Sequence, residues 1–151
     1  WFEIEFKDDS YTEYLYMDEW IKSDLRVEEI FIRGGDTVLD SFAITRFGPL
    51  VYFGENTLEN GHPTGLAMRW SAHDPSNEMM AVRNMNLATD RETFYAAIEA
   101  FESPGQNFAM IARDGDIAIR HNGKYPLRGR DQGKFVRAGR DTLGEWQDWI
   151  P

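Results

Sequence analysis

Histidines, serines and paired carboxylates are the side chains in this sequence that could carry chemistry, and their spacing decides which chemistry is open to them. His62 lies in a polar stretch, His73 at the end of an apolar run and His121 in a second such run. None has the i, i+4 partner or acidic companions that a metal-binding helix face needs. Ser10, Ser23, Ser41, Ser71, Ser76 and Ser103 lack the G-x-S-x-G turn that lifts a serine nucleophile out of a sheet. Asp114-Gly115-Asp116 resembles part of a calcium loop, but Ile117-Ala118-Ile119 behind it bring no spaced oxygen ligands. Cysteine is absent, which removes thiolate nucleophiles, thiolate metal sites and disulfides and leaves the redox compartment open. The sequence therefore predicts no catalytic residue, metal site or cofactor held by this chain alone.

The element best placed to organise these residues is a hairpin over 106–121. Two apolar runs meet at Asp114-Gly115, a dipeptide suited to a two-residue type I′ turn. That turn would set Arg113 opposite Asp116, Ala112 opposite Ile117, Ile111 opposite Ala118, Met110 opposite Ile119 and Phe108 opposite His121. The alternation then predicts a core face of Phe108, Met110, Ala112, Ile117, Ile119 and His121.

Ahead of the hairpin, Phe2, Ile4 and Phe6 alternate with Glu3 and Glu5 as a half-buried strand. Tyr14 to Tyr16 and Trp20 to Lys22 form a short hairpin, and Val27 to Arg33 pairs with Thr37 to Arg46 across Gly34-Gly35-Asp36. Leu50 to Phe53 resumes the meander, 54–65 reads as a polar loop and 66–71 as the next strand. Asp74-Pro75 reads as an N-cap and first helical residue, with Met79, Val82 and Asn86 on one face. Thr89 and Glu92 form a capping box for a second helix with a stripe of Phe94, Ile98 and Phe101. The expected fold is α+β, mostly antiparallel β-sheet with two helices. Its parts are a β meander over 1–71, a helical pair over 75–102, the hairpin over 106–121 and a loop-rich tail over 122–151.

The bulk properties agree with a folded segment. A chain of 151 residues with 42% hydrophobic and 14% aromatic content can build a core. Its formal charge of −10 opposes binding to nucleic-acid phosphates or anionic membranes, so no nucleic-acid or membrane partner is expected. No apolar run reaches the roughly 18 residues that span a bilayer as a helix.

Several motifs carry a family resemblance. Pro104-Gly105-Gln106-Asn107-Phe108, Ala112-Arg113-Asp114-Gly115-Asp116-Ile117, and Gly123-Lys124-Tyr125-Pro126 with Arg128 resemble the P-x-Q-N, A-D-x-D-G-N-I and G-x-x-P-x-R signature in the β-chain of penicillin acylases. Gly144-Glu145-Trp146 and Trp149-Ile150-Pro151 are similar to the W-x-G-x-x-P that ends this segment of the family. Thr45-Arg46-Phe47-Gly48-Pro49 resembles its T-x-H-G-P, with Phe47 where His is common, and Leu66 to Trp70 resembles its L-A-x-x-W. The motifs occur in the family's order and cover nearly the whole chain.

The resemblance implies part of an αββα N-terminal-nucleophile hydrolase sandwich, in an amidohydrolase acting on N-acylated small molecules of the penicillin or N-acyl homoserine lactone type. Such enzymes use the first residue's side chain as nucleophile and its own α-amino group as base. Position 1 here is Trp1, and the family's oxyanion-hole Asn lies beyond a G-x-I-x-x-A-N run that this sequence lacks. The expectation is an internal segment, inactive alone, whose partners are the rest of the acylase α- and β-chains and a small acyl amide. It also implies possible calcium in the parent enzyme and a periplasmic or secreted location.

Two substrate-binding residues follow from the resemblance: Trp70 aligns with a tryptophan lining the acyl pocket, and Gln106 with an apolar residue of the same pocket. Read without the resemblance, Trp70 is a core aromatic at a strand end and Gln106 a helix-to-strand connector. A different reading also stays open, a binding module with Trp20, Trp146 and Trp149 as stacking platforms for carbohydrate. For a segment, the first strand and the Trp146 to Pro151 end are the expected uncovered surfaces and sites of self-association.

Overall fold

The computed structural model describes residues 1–130 and 132–150, with the backbone alone at 55–57. In chain order its strands begin with β1 (Phe2–Glu5), β2 (Glu13–Tyr16), β3 (Glu19–Lys22), β4 (Asp24–Ile30), β5 (Val38–Thr45), β6 (Gly48–Thr57) and β7 (Pro63–Ala67). A 3-10 turn (Ser71–His73) leads to the helices α1 (Glu78–Leu87) and α2 (Arg91–Ile98). Then come β8 (Gln106–Ile111), β9 (Ile117–Asn122), β10 (Pro126–Leu127) and β11 (Arg137–Ala138), and a second 3-10 turn (Thr142–Gly144) before β12 (Asp148–Trp149). The class is α+β, mostly antiparallel strand with two helices, as the sequence predicts. The chain divides into two compact units, one of 1–69 with 128–145 and one of 70–127 with the residues from 146 onward. Among the described residues no helix is long and apolar enough to cross a membrane.

The first unit is built on a six-stranded sheet in the order β11-β1-β7-β6-β5-β4, to which the β2–β3 hairpin is added. Its core holds Phe2, Ile4, Phe6, Tyr14, Ala43, Phe47, Leu50 and Ala67, with the rings of Phe2 and Phe47 4.6 Å apart. The alternation in β1 therefore reads correctly, but its expected place at an uncovered edge does not. Phe2, Ile4 and Phe6 are buried, because β7 pairs antiparallel on one side of β1 and β11 parallel on the other. Only Trp1 of that group is exposed. The two-residue β11 is too short to stand out in the polar tail, which is why the sequence hides the cover. Among the described strands the sheet ends at β11 on this side and at β4 on the other. The segment read as a polar loop over 54–65 is mostly strand, and β6 and β7 leave only 58–62 between them.

In the second unit α1 begins at Glu78, three residues after Pro75, because Ser71–His73 forms its own 3-10 turn and Asp74 follows it in extended backbone. Ala81 is the buried residue of α1, while Met79 and Val82, the expected inward face, are exposed. The capping box of α2 is shifted by one residue. Asp90 accepts the Thr93 N–H at 2.8 Å, and Thr93 Oγ1 accepts the Asp90 N–H at 3.2 Å. Ile98 and Phe101 are buried as predicted.

The β8–β9 hairpin forms where the sequence places it but one residue out of register. Ile111 pairs with Ile117 and Met110 with Ala118, around a three-residue tip of Arg113, Asp114 and Gly115. The Ala112 N–H donates to the Asp116 carbonyl at 2.8 Å, and the Gly115 N–H to the Ala112 carbonyl at 3.1 Å. Only Gly115 takes positive φ, at 91°, and Asp114 Oδ1 accepts the Asp116 N–H at 3.1 Å, which suits a turn followed by a left-handed glycine. A one-residue slip exchanges the faces. Phe108, Met110, Ala118 and Arg120 now share the more buried side, and Ile111, Ile117 and Ile119 are 79, 72 and 71% exposed. The expected Arg113 to Asp116 pair is replaced by Arg91 with Asp116 at 3.4 Å. The closing motif of the chain includes Pro151, which lies outside the described residues.

Candidate functional site

Trp70 and Gln106 both belong to the second unit. Trp70 follows β7 in extended backbone, and its carbonyl accepts the His73 N–H at 3.0 Å, closing the 3-10 turn. Its ring meets that of His73 edge-on at 5.8 Å, and the residue is 47% exposed within this chain. Gln106 opens β8, exposed and opposite Asn122.

The segments that carry these two residues are tied together by hydroxyls and one carboxylate. Ser71 Oγ, next to Trp70, lies 2.9 Å from the Oγ of the buried Ser103. Glu78, the first residue of α1, accepts the Ser103 N–H at 2.9 Å, the Glu102 N–H at 3.2 Å and the Ser76 hydroxyl at 2.7 Å. The Ser76 hydroxyl first, then the Ser103 N–H, favour its charged form and lower its pKa from the ordinary 4.5 to about 2. Glu78 thus holds the turn from which Pro104, Gly105 and Gln106 depart.

Beyond that turn the chain is shaped by Tyr125. A Cβ on Gly105 would run into the Tyr125 hydroxyl, so only glycine admits this approach. Tyr125 stacks on His121 with ring centres 5.2 Å apart and an interplanar angle of 22°, and its hydroxyl bonds to His121 Nε2. The other ring nitrogen, Nδ1, lies 2.7 Å from Asn107 Oδ1. A neutral His121 with its proton on Nδ1 satisfies both bonds, donating to Asn107 and accepting from Tyr125. Asn122 Nδ2 donates to the Ile98 and Phe101 carbonyls at 2.8 and 2.7 Å, which satisfies the open end of α2. Read alone, His121 is an ordinary surface or partly buried histidine, and it is exposed here; the register and the i+4 spacing to Tyr125 are what make it the centre of a polar ladder next to Gln106. The role of Glu78 could not be read at all, because its partners are backbone groups 24 and 25 residues away.

A cavity of about 670 Å³ lies between the hairpin and the helices, lined by Met85, Arg91, Phe94, Met110, Arg113 and Asp116 among others. Neither Trp70 nor Gln106 lines it. Among the described residues no group of three or more His, Cys, Asp or Glu is placed to hold a metal ion. Asp114 and Asp116 in particular are taken up by the hairpin turn and by Arg91, which fits the hairpin reading of that motif.

In the first unit His62 Nδ1 lies 2.7 Å from Glu5, and the ring of Trp20 packs edge-on against His62 at 4.9 Å. In the second, Trp146 and Trp149 pack edge-on at 5.5 Å, with Lys124 4.3 Å over Trp149. The tryptophans considered as stacking platforms are each engaged in ring contacts within their own unit.

The penicillin amidase family profile matches this chain over residues 1–151. Among solved structures, the thermostable penicillin G acylase from Alcaligenes faecalis in its orthorhombic form is similar in fold, with a TM-score of 0.74 and 19% sequence identity. The match takes in 99% of this chain and 26% of the other, so the chain spans about a quarter of the solved acylase's length. With a profile that runs from the first residue to the last and a fold shared over nearly all of them, this chain belongs to the penicillin amidase family.

Proposed function

We propose that this chain is an internal segment of an amidohydrolase β-chain that cleaves the amide of N-acylated small molecules, penicillin-like or N-acyl homoserine lactone-like. The family match over the whole chain carries this reading. In it, the nucleophile, the α-amino base and the oxyanion donor lie outside these 151 residues, and the segment alone is inactive. Its partners are the remaining acylase α- and β-chains, any calcium is bound by those parts, and the parent works in the periplasm or is secreted.

Within this reading Trp70 and Gln106 line the acyl pocket. Trp70 supplies an aromatic wall, consistent with its half-exposed indole, and the clasp of Ser71, Ser103 and Glu78 fixes the two supporting segments. Gln106 adds an amide to a wall that is apolar elsewhere in the family, so acyl groups bearing a hydrogen-bonding substituent gain a partner, and purely apolar ones leave that amide without one.

The test is acyl-amide hydrolysis by the parent enzyme with a panel of acyl groups. Gln106→Leu should raise kcat/KM for apolar acyl groups relative to polar ones by about tenfold, and Trp70→Ala should lower it for all aromatic acyl groups. An unchanged acyl preference in both variants would remove these residues from the pocket. Turnover by the purified segment itself would refute the segment reading.

A further inference from the structure

We infer that β4 is an interaction edge through which two copies of this chain pair, antiparallel and centred on Val27, joining their sheets into one. The inference does not depend on the acylase reading. β4 ends the six-stranded sheet, is hydrogen-bonded to β5 alone among the described strands, and is exposed at all seven residues. A long exposed edge offers a row of free N–H and C=O groups to another strand.

The sequence of β4 selects the partner and the register. A two-fold axis normal to the sheet must pass between a residue and its own copy, because side chains alternate between faces and neighbours cannot be exchanged. Centring on Arg26 sets Arg26 against itself and Asp24 against Glu28 of the second copy, and centring on Glu28 sets that carboxylate against itself. Centring on Val27 overlaps the whole strand, Asp24 to Ile30, and sets Arg26 opposite Glu28 twice.

The existing contacts favour the same arrangement. Glu28 sits directly opposite Asp40 of β5, a like-charge pair that Arg26 of its own strand relieves at 2.5 Å. The second copy would bring its own Arg26 to this acidic pair. On the other face Val27 meets its own copy at the axis, flanked diagonally by Leu25, which faces Glu29 of the second copy, and by Leu39 of β5, which pairs with Glu29; Leu25, Val27 and Leu39 are all exposed. Edge, charge order and the central Val27 pair thus fit a second copy of β4.

Sedimentation of the purified protein at micromolar concentration is the first measurement, with a dimer expected and a monomer up to about 100 µM overturning the proposal. Arg26→Glu and Glu28→Arg should each weaken association at least tenfold, since each sets like charges across the axis. An equimolar mixture of the two variants should associate at least as well as the unmodified protein, because both pairs of position 26 with position 28 across the axis are then opposite in charge. Recovery in the mixture excludes a folding defect as the cause of the separate losses, and a mixture that stays monomeric overturns the proposal. Register is read by cross-linking in this cysteine-free chain. Val27→Cys should give an oxidised dimer and Leu25→Cys should not, and equal cross-linking of both would overturn the Val27-centred pairing.

Discussion

Two hairpins of the chain solve the same reversal with opposite means. Between β2 and β3 two residues, Met17 and Asp18, turn the chain at φ 51° and 62° with no glycine. Between β8 and β9 three residues are used, and only Gly115 enters positive φ. The difference lies in what surrounds each tip. The Met17 N–H donates to the Arg140 carbonyl at 2.8 Å, so a distant segment of the same unit helps to hold a left-handed methionine. At Gly115 an added Cβ would meet nothing within 4 Å, so the tip relies on its own sequence and leaves the left-handed position to glycine. A turn rule describes a tip that stands free, and a tertiary hydrogen bond can replace it.

The turn between β5 and β6 combines both situations and should give the largest effect. Gly48 has φ 100°, and a Cβ there would be driven into the Met68 carbonyl oxygen. Gly48→Ala therefore adds backbone strain to a clash with the backbone that follows β7 and should cost about 3 kcal/mol. Urea denaturation measures it, and a loss under about 1 kcal/mol would mean that the neighbouring backbone yields easily. At the free tip, Gly115→Ala meets only the conformational penalty and should cost about 1–2 kcal/mol by the same measurement. A cost equal to that at Gly48 would erase the distinction between free and packed turns.

The opposite sign is expected at the supported turn. Met17→Asn keeps the backbone N–H for Arg140 and places a residue that tolerates the left-handed region, so it should raise stability by about 0.5 kcal/mol. A thermal melt with an unchanged or lower midpoint would show that the Met17 side chain has a packing role that outweighs its backbone strain.

These turns also mark what the sequence made readable. Alternation located β1, whose burial pattern lies in adjacent residues, while β4, read over Val27 to Arg33, runs instead over Asp24–Ile30 and is exposed throughout. The hairpin register escaped because Asp-Gly suits either a two-residue turn or a longer tip with glycine last, and the Asx bond from Asp114 favours the latter. The cover over β1 escaped because β11 is two residues long and arrives from the distant tail. Of the candidate site, the motifs around Trp70 and Gln106 were legible through their resemblance to a family. The clasp that supports them was not, since Glu78 recognises backbone N–H groups, which every residue at 102 and 103 other than proline would offer.

That clasp gives the β8–β9 hairpin a root as dependent on distant groups as its tip is independent, and the smallest predicted effect tests this contrast through acid. The folded pKa of Glu78 is lowered from 4.5 to about 2, so the unfolded chain binds the proton more readily than the folded one. Its stabilisation is complete above about pH 4.5 and is lost as the pH falls toward 2. Glu78→Gln keeps a carbonyl oxygen for the Ser103 N–H but carries no charge to lose. The stability difference between the native protein and this variant should therefore be constant near neutrality and shrink from pH 4.5 downward. Asp8 and Asp90 are also lowered by hydrogen bonds, from Ser10 and Thr93 respectively, so both proteins keep an acid limb and only the difference between them is diagnostic. Urea midpoints at closely spaced pH values supply the curve. A difference that stays flat from pH 7 to 2 would show that the Ser103 turn is held by packing around Ser71 and Ser103, with the Glu78 charge contributing nothing to it.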